Sequence, residues 1–150
     1  MKMSKILIVE DQSGPLEALE FAVNKVMPTH YAGFSKGNYD VARCYADAQQ
    51  RISKNDYQMV LLDNRMPYED QGDLERTDFD RFCSSLENIG YTLIPVIKEK
   101  NPSTVIIGTS SLSKGELRGL PTPDYTMSKM WGDAETDLEN RLNQIKGASE

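Results

Sequence analysis

Carboxylates follow two short apolar runs of this sequence, at the point where each run ends. Glu10 and Asp11 come directly after Ile6–Val9, and Asp63 comes directly after Met59–Leu62. Clustered carboxylates repel one another, so at least one of them would take up a proton unless a cation were bound nearby. Mg²⁺ prefers oxygen ligands of this kind, and one carboxylate of such a set stays able to attack a phosphoryl group. These residue types therefore point to metal-assisted phosphoryl chemistry.

A hydroxyl and an amine follow two later stretches of the chain. Thr109 comes directly after Val105–Gly108, and Lys129 comes shortly after residues 124–127. In an open parallel sheet the carboxyl ends of the strands meet at one edge, so these side chains would converge with the carboxylates. The amine would neutralise phosphoryl oxygens and the hydroxyl would bond to one of them. Phosphoryl transfer needs mostly such positioning and charge neutralisation.

Alternating strands and helices are the elements that must place these side chains. Continuously apolar runs are typical of parallel strands covered on both faces. Weaker runs at 31–35 and 124–127 predict a second and a fifth strand. Apolar residues at helical spacing predict helices that start near Leu16, Val41, Phe79 and Ala134. The alternation predicts an α/β fold, a doubly wound five-stranded parallel sheet with helices on both faces.

The composition argues against several partners and compartments. The net charge is −6, whereas nucleic acid and anionic membranes are bound through basic surfaces. The apolar run within residues 1–11 is too short for a signal peptide or a membrane span, which predicts a cytoplasmic protein. The two cysteines, Cys44 and Cys83, have no metal-type spacing and are expected to be buried thiols.

Four segments of the sequence, ILIVED, VLLDNRMP, VIIGTSS and YTMSK, occur in that order. Together they resemble the receiver domain of two-component response regulators, and the resemblance covers nearly the whole chain. It implies a single receiver domain over residues 1–150 with the flavodoxin/CheY-like strand order 2-1-3-4-5. It also implies a phosphoacceptor with only self-phosphorylation and autodephosphorylation chemistry, not an enzyme that turns over an external substrate.

The resemblance assigns a role to each polar residue at the strand ends. Asp63 matches the phosphoacceptor, Thr109 matches the switch hydroxyl, and Lys129 matches the lysine of the family's site. The implied ligands of Mg²⁺ or Mn²⁺ are Glu10, Asp11, Asp63 and the backbone carbonyl of Arg65. Among these, Asp11 would bind the metal directly and Glu10 would act largely through water.

The implied partners are proteins. The phosphoryl group would come from a histidine kinase or a histidine phosphotransfer protein. Because the chain ends at Glu150 soon after its last predicted helix, we expect no attached output domain and a separate downstream protein. Neither nucleic acid nor a membrane is expected as a partner, and homodimerisation is left open.

The stretch between the acceptor and the switch hydroxyl is longer than a receiver needs for one helix. The extra length falls in residues 68–102 and predicts an extended third helix, with a helical stripe over Phe79–Leu86. Acidic residues crowd positions 69–80, either as a solvated loop and helix start or as a charged flap that discriminates among partners. The glycine that the family places a few residues after the proline is displaced, and Gly72 is the nearest candidate.

The stretch between Thr109 and Lys129 is short and rich in helix breakers. Its glycines and prolines are Gly115, Gly119, Pro121 and Pro123, so the fourth helix is predicted to be reduced or absent. In the family, the fourth helix, fifth strand and fifth helix form the usual signalling face, which would be altered here. Thr126 stands where an aromatic reporter residue is expected.

Two other functions compete with phosphoryl acceptance. A pseudo-receiver, a protein-interaction module on the same fold that does not use phosphorylation, is favoured mildly by the reduced fourth helix and by Thr126. A haloacid-dehalogenase-type phosphatase needs a second aspartate two residues after its nucleophile as acid and base. Arg65 stands at that position, which argues against this enzyme class.

Overall fold

Five parallel strands form the central sheet of the chain, which a computed structural model describes over residues 5–149. Residues 1–4 and 150, which belong to the predicted 1–150 domain, lie outside the described residues. The strands of the central sheet and of a small second sheet are β1 (Ile6–Val9), β2 (Tyr39–Ala42), β3 (Met59–Leu62), β4 (Arg65–Pro67), β5 (Leu86–Asn88), β6 (Val105–Gly108) and β7 (Tyr125–Thr126). The central sheet has the order β2-β1-β3-β6-β7. Counted as five parallel strands this is 2-1-3-4-5, so the predicted order is confirmed.

Helices cover both faces of the central sheet. They are α1 (Ser13–His30), α2 (Tyr45–Lys54), α3 (Leu74–Thr77), α4 (Phe79–Ser84), α5 (Leu93–Lys100) and α6 (Asp133–Ser149), with a 3₁₀ turn at Gly90–Thr92. Ile6 and Ile8 of β1 pack in one core with α1 and α6, whereas Leu7 and Val9 pack in another with α2 and α5. Because successive residues of a strand point to opposite faces, both cores require apolar residues. This explains the continuously apolar run. In the described chain no helix has the length and apolar character to cross a membrane.

The second strand lies later in the chain than predicted. β2 pairs with β1 along Tyr39–Ala42, and the predicted strand at 31–35 lies instead among turns that precede β2. The prediction that Val41 belongs to the second helix is also wrong, because α2 begins only after Cys44, whose sulfur caps it. Val41 shares the apolar spacing of the helix, but its pairing with β1 decides its conformation.

The region predicted as an extended third helix is long, but it is not one helix. It contains α3 and α4, then β5, and finally α5. Leu86, predicted as the end of a helical stripe, lies in β5, which pairs antiparallel with β4. The apolar spacing was misleading because β4 offers an edge to which residues 86–88 hydrogen-bond. We call residues 68–89 the insert.

The connection from β6 to β7 agrees with the prediction. All of residues 109–124 are described, and no helix forms among them. Leu117 and Leu120 of this loop pack against the core on the face of α2 and α5. They cover part of the apolar surface that a fourth helix would otherwise cover. The last helix, α6, is also as predicted: Ala134, Leu138 and Leu142 are buried.

Candidate metal and phosphoryl site

Hydrogen bonds between strands continue one residue past the strand ends and fix the polar residues there. The amide of Glu10 donates to β2 at 3.0 Å, that of Asp63 to β1 at 3.2 Å, and that of Thr109 to β3 at 2.9 Å. Each of these residues is therefore held by the sheet itself, at the end of a strand whose side chains are largely buried. They lie along one edge of the sheet, as the sequence predicts.

Three carboxylates meet at this edge. One oxygen from each of Glu10, Asp11 and Asp63 lies within 4.8 Å of the other two. The exposed fractions of the three residues are 0%, 4% and 3%, respectively, so water screens little of their repulsion. The structure thus brings the predicted acidic set together in a buried cluster.

The surroundings of the cluster disfavour the ionised form of two of its members. Burial, and then the charge of Asp63, raises the pKa of Glu10, although Lys129 and the amide of Gln12 oppose this. Burial, followed by the charges of Glu10 and Asp63, raises the pKa of Asp11 to about 9. Near neutral pH the cluster therefore holds a proton unless a cation binds to it.

Lys129 supplies one positive charge to the cluster. Its ammonium lies 3.0 Å from Oε1 of Glu10 and 2.9 Å from Oδ2 of Asp63. Burial lowers the pKa of this ammonium, but the charges of Asp63 and Glu10 raise it by more, so the pKa is raised overall and the group stays charged. One ammonium does not balance three ionised carboxylates, but this ammonium and a divalent cation together would.

Oδ2 of Asp11 and Oγ1 of Thr109 are buried and have no hydrogen-bond partner within residues 5–149. Buried polar atoms are nearly always partnered in folded proteins, so such exceptions call for an explanation. Oδ2 of Asp11 and the neighbouring carboxylates form a hard-oxygen donor set that fits Mg²⁺ or Mn²⁺. The hydroxyl of Thr109 fits a donor to a bound oxyanion.

A cavity of about 280 Å³ borders the cluster. Its walls include Asp11, Asp63, Arg65 and Lys129, the loop 110–112, and Cys83 and Leu86 of the insert. Arg65 lies in β4 with its side chain exposed. The predicted role of its backbone carbonyl as a metal ligand stays a prediction.

Gly90 packs against the backbone of the acceptor residue, and the assignment of Gly72 to the family's displaced glycine stays a prediction. Gly72 is exposed, with a φ of +60° and open space around it. Gly90 is buried, and a Cβ there would overlap the carbonyl oxygen of Asp63 and lie 2.6 Å from Cε of Met66. The one sequence signal for Gly90 is its position just before the apolar residues that begin at Leu93. It lies far from Pro67, where the family's glycine would be sought.

Sequence reasoning also missed Asn64, which fastens the acceptor strand to the end of the insert. Its backbone carbonyl accepts from the amides of Ile89 at 3.1 Å and Gly90 at 2.8 Å. Its side-chain oxygen accepts from the amide of Tyr91 at 3.0 Å. The backbone next to Asp63 is therefore held by residues more than twenty positions away in sequence. No short-range pattern reveals such a contact.

Tyr91 extends this support to the neighbouring strand. Its side chain is fully buried, and a Cβ on Gly108 of β6 would overlap its hydroxyl. Burial is the main reason that the pKa of this hydroxyl rises to about 12. Tyr91 therefore links Asn64, which follows the acceptor residue, to Gly108, which precedes Thr109.

Solved structures of receiver domains match this chain over nearly its whole length. The activated receiver domain of DrrB is 19% identical, covers 98% of this chain and 99% of its own, and gives a TM-score of 0.62. The receiver domain of an HD domain-containing protein from Pseudomonas fluorescens is 21% identical, with 99% and 100% covered and a TM-score of 0.61. TrrA from Thermotoga maritima, solved in complex with Mg²⁺ and BeF, is 18% identical, with 98% of each chain covered and a TM-score of 0.58.

These likenesses identify the fold as that of response regulator receiver (CheY-like) domains. No protein-family model and no curated protein matches the sequence. The structural matches therefore establish the fold. The function is inferred from the residues clustered at the strand ends.

Added Mg²⁺ should stabilise this chain, and more so at pH 8 than at pH 5. The pKa of Asp11 is raised from 3.8 to about 9 on folding, so the folded chain binds more protons than the unfolded one between these values. The free energy of unfolding of the metal-free chain therefore falls as pH rises through this window. Mg²⁺ at about ten times its dissociation constant adds ~1.4 kcal/mol, and its ligands must be deprotonated to bind it.

Thermal unfolding with Mg²⁺ or with EDTA at both pH values measures this effect. In the variant Asp11→Asn the added stability should largely disappear. A Mg²⁺-induced rise in Tm that is equal at the two pH values would contradict the assignment of the cluster as the metal site.

Proposed function

We propose that this chain is a response regulator receiver whose Asp63 accepts a phosphoryl group in a Mg²⁺-dependent reaction. The observation that carries the proposal is the buried cluster of three carboxylates with a single ammonium. Burying unbalanced charge destabilises a fold, which favours a functional reason for the cluster. The receiver-domain fold supports the same conclusion, because ligand sites of open α/β sheets lie at this edge.

In the proposed reaction Asp63 is the nucleophile. Its Oδ1 accepts from the amide of Asn64 at 2.8 Å and its Oδ2 from Lys129, so the carboxylate is held in one orientation. A carboxylate oxygen forms a bond to phosphorus while the P–N bond of a phosphohistidine, or the P–O bond of an acyl phosphate, breaks. The bonding electrons leave with the imidazole, which takes up a proton, or with the acyl carboxylate.

The other residues of the site bind and neutralise the transferred group. The Lys129 ammonium contacts a phosphoryl oxygen, and the unpartnered hydroxyl of Thr109 donates to another. Glu10, Asp11 and Asp63 would hold Mg²⁺, which would supply further positive charge to the phosphoryl oxygens. The backbone carbonyl of Arg65 completes the ligand set that we propose.

We propose a histidine kinase or a histidine phosphotransfer protein as the phosphodonor and a separate protein as the downstream target. A cytoplasmic location fits these partners, and the net charge of −6 disfavours nucleic acid. The chemistry is limited to self-phosphorylation and autodephosphorylation, without turnover of an external substrate.

The competing function is a pseudo-receiver that binds a partner without phosphorylation. Two observations favour it. The fourth helix of the fold is absent from the described residues 109–124, and Thr126, at the position of the aromatic reporter, is an exposed residue of a two-residue strand. These features change how the site could signal, but they leave the acidic cluster and Lys129 in place.

Intact-mass measurement after incubation with acetyl phosphate and Mg²⁺ tests the proposal. We expect a gain of one phosphoryl group, which EDTA prevents. No gain under conditions that label a known receiver would refute phosphoryl acceptance and favour the pseudo-receiver. Sustained hydrolysis of p-nitrophenyl phosphate would instead indicate a phosphatase.

A further inference from the structure

The insert forms one wall of the cavity beside Asp63. Its stem is the pairing of β5 with β4, and the helices α3 and α4 lie between these strands in sequence. Cys83 and Leu86 line this cavity together with the loop 110–112. A change in the position of α3 and α4 would therefore change access to the acceptor.

One carboxylate joins α3 to the first turn of α1. Glu75 accepts from the amide of Ser13 at 3.0 Å and from its hydroxyl at 2.8 Å. It also accepts from the guanidinium of Arg43 at 3.2 Å. The amino terminus of a helix favours a negative charge, so Ser13 and Arg43 together form a site for this one carboxylate.

The same contact reaches the acidic cluster. The Nη2 of Arg43 that binds Glu75 also donates to the backbone carbonyl of Asp11 at 2.9 Å. Arg43 directly follows β2, at the edge of the sheet where the cluster lies. We call the contact of Glu75 with Ser13 and Arg43 the latch.

The latch distinguishes Glu75 from the other acids of its segment. The acids of residues 69–80 are Glu69, Asp70, Asp73, Glu75, Asp78 and Asp80. Glu75 is half-buried and the other five are exposed. None of the four described residues of α3 is buried, so apolar packing contributes little to holding this helix in place. The interpretation as a solvated loop and helix start thus fits the five exposed acids. The interpretation as a flap beside the site fits Glu75.

We propose that Glu75 determines the size of the phosphodonor that reaches Asp63, by latching the insert against α1. With the latch closed, an acyl phosphate enters the cavity, whereas a protein that carries a phosphohistidine first has to displace the insert. A cognate donor supplies the contacts that do so. The proposal rests on the proposed function for its donors, but the movement of the insert can be measured without phosphorylation.

Thiol reagents of two sizes at Cys83 measure access directly. The measurement uses the full chain with Cys44→Ser, which removes the buried thiol while serine keeps a good helix cap. In this background Glu75→Ala should raise the rate of modification by a polyethylene glycol maleimide roughly tenfold, as expected for loss of one charge-assisted contact. The rate with N-ethylmaleimide should stay within about twofold, because small molecules already enter.

Two further variants guard against a general loss of structure. Arg43→Gln breaks the latch from its other side and should act like Glu75→Ala on the large reagent. Glu87→Gln removes an exposed acid of the same insert, on β5, and should change neither rate. An unchanged rate with the large reagent in both latch variants, or an equal rise with both reagents, overturns the proposal.

Acetyl phosphate labelling separates this proposal from the proposed function. In Glu75→Ala it should stay within about twofold of wild type, since the substitution touches neither the acceptor nor Lys129. If neither protein is labelled, phosphoryl acceptance fails, while the thiol rates still decide whether Glu75 latches the insert. A rise in acetyl phosphate labelling as large as that with the large thiol reagent would contradict the selection by size.

Discussion

Labelling by acetyl phosphate should disappear completely when Asp63 is replaced by asparagine. The amide is isosteric with the carboxylate, so it fills the same space between Asn64 and Lys129, but it lacks the nucleophilic oxygen. The variant should also fold, because it removes a buried charge that, together with the larger effect of burial, raises the pKa of both Glu10 and Asp11. Intact-mass measurement of phosphoryl gain and thermal unfolding in EDTA report the two effects separately.

Asp56→Asn is the matched control for this variant. Asp56 lies just before β3, and its side chain is 77% exposed. Asp63 directly follows the same strand. The substitution removes the same charge at the opposite end of the same strand and should leave labelling intact. Retained labelling of Asp63→Asn would place the phosphoryl group on another residue and exclude the mechanism proposed above.

The site was predictable from the sequence because its residues follow strands whose pattern is local. Buried parallel strands read as apolar runs, and their carboxyl ends meet at one edge, so the residues after each run converge. Glu10, Asp63 and Thr109 are positioned in this way, by backbone bonds that continue the sheet. The absent fourth helix was also predictable, since glycine and proline oppose helix formation locally.

The errors arose where distant segments decide the conformation. Val41 fits a helical period, but its partner in β1 holds it in a strand. Leu86 fits another, but β4 pairs with it. Gly90 was missed because its constraint, the carbonyl of Asp63, lies far away in sequence. In each case one long-range contact outweighs a propensity worth less than about 1 kcal/mol per residue.

The insert was recognised from its length and charge, but not its organisation. Acidic composition predicts solvation, and five of its six acids between residues 69 and 80 are exposed. What the pattern could not show is that Glu75 meets Ser13 and Arg43, which are distant in sequence. Composition does not reveal which one of several acidic residues is half-buried.

Replacing Gly90 by alanine should destabilise the fold and impair the acceptor at the same time. A Cβ at this position overlaps the carbonyl oxygen of Asp63 and crowds Met66, and backbone does not yield as a flexible side chain does. Overpacking of this kind costs about 3 kcal/mol, which for a chain of this size lowers Tm by roughly 6–12 °C. The steric overlap can be relieved only if the backbone at Asp63 moves, and this movement displaces the nucleophile. Acetyl phosphate labelling should therefore also slow at temperatures where the variant is folded.

Gly14→Ala is the control that separates crowding from the loss of a glycine. Gly14 lies in the first turn of α1, and a Cβ added there would have no other atom within 4 Å. Alanine is the better helix former, so the free energy of unfolding should stay unchanged or rise by at most about 1 kcal/mol. If Gly90→Ala proves as stable as Gly14→Ala and labels at the wild-type rate, the close packing of Gly90 against the acceptor is not what holds Asp63 in place.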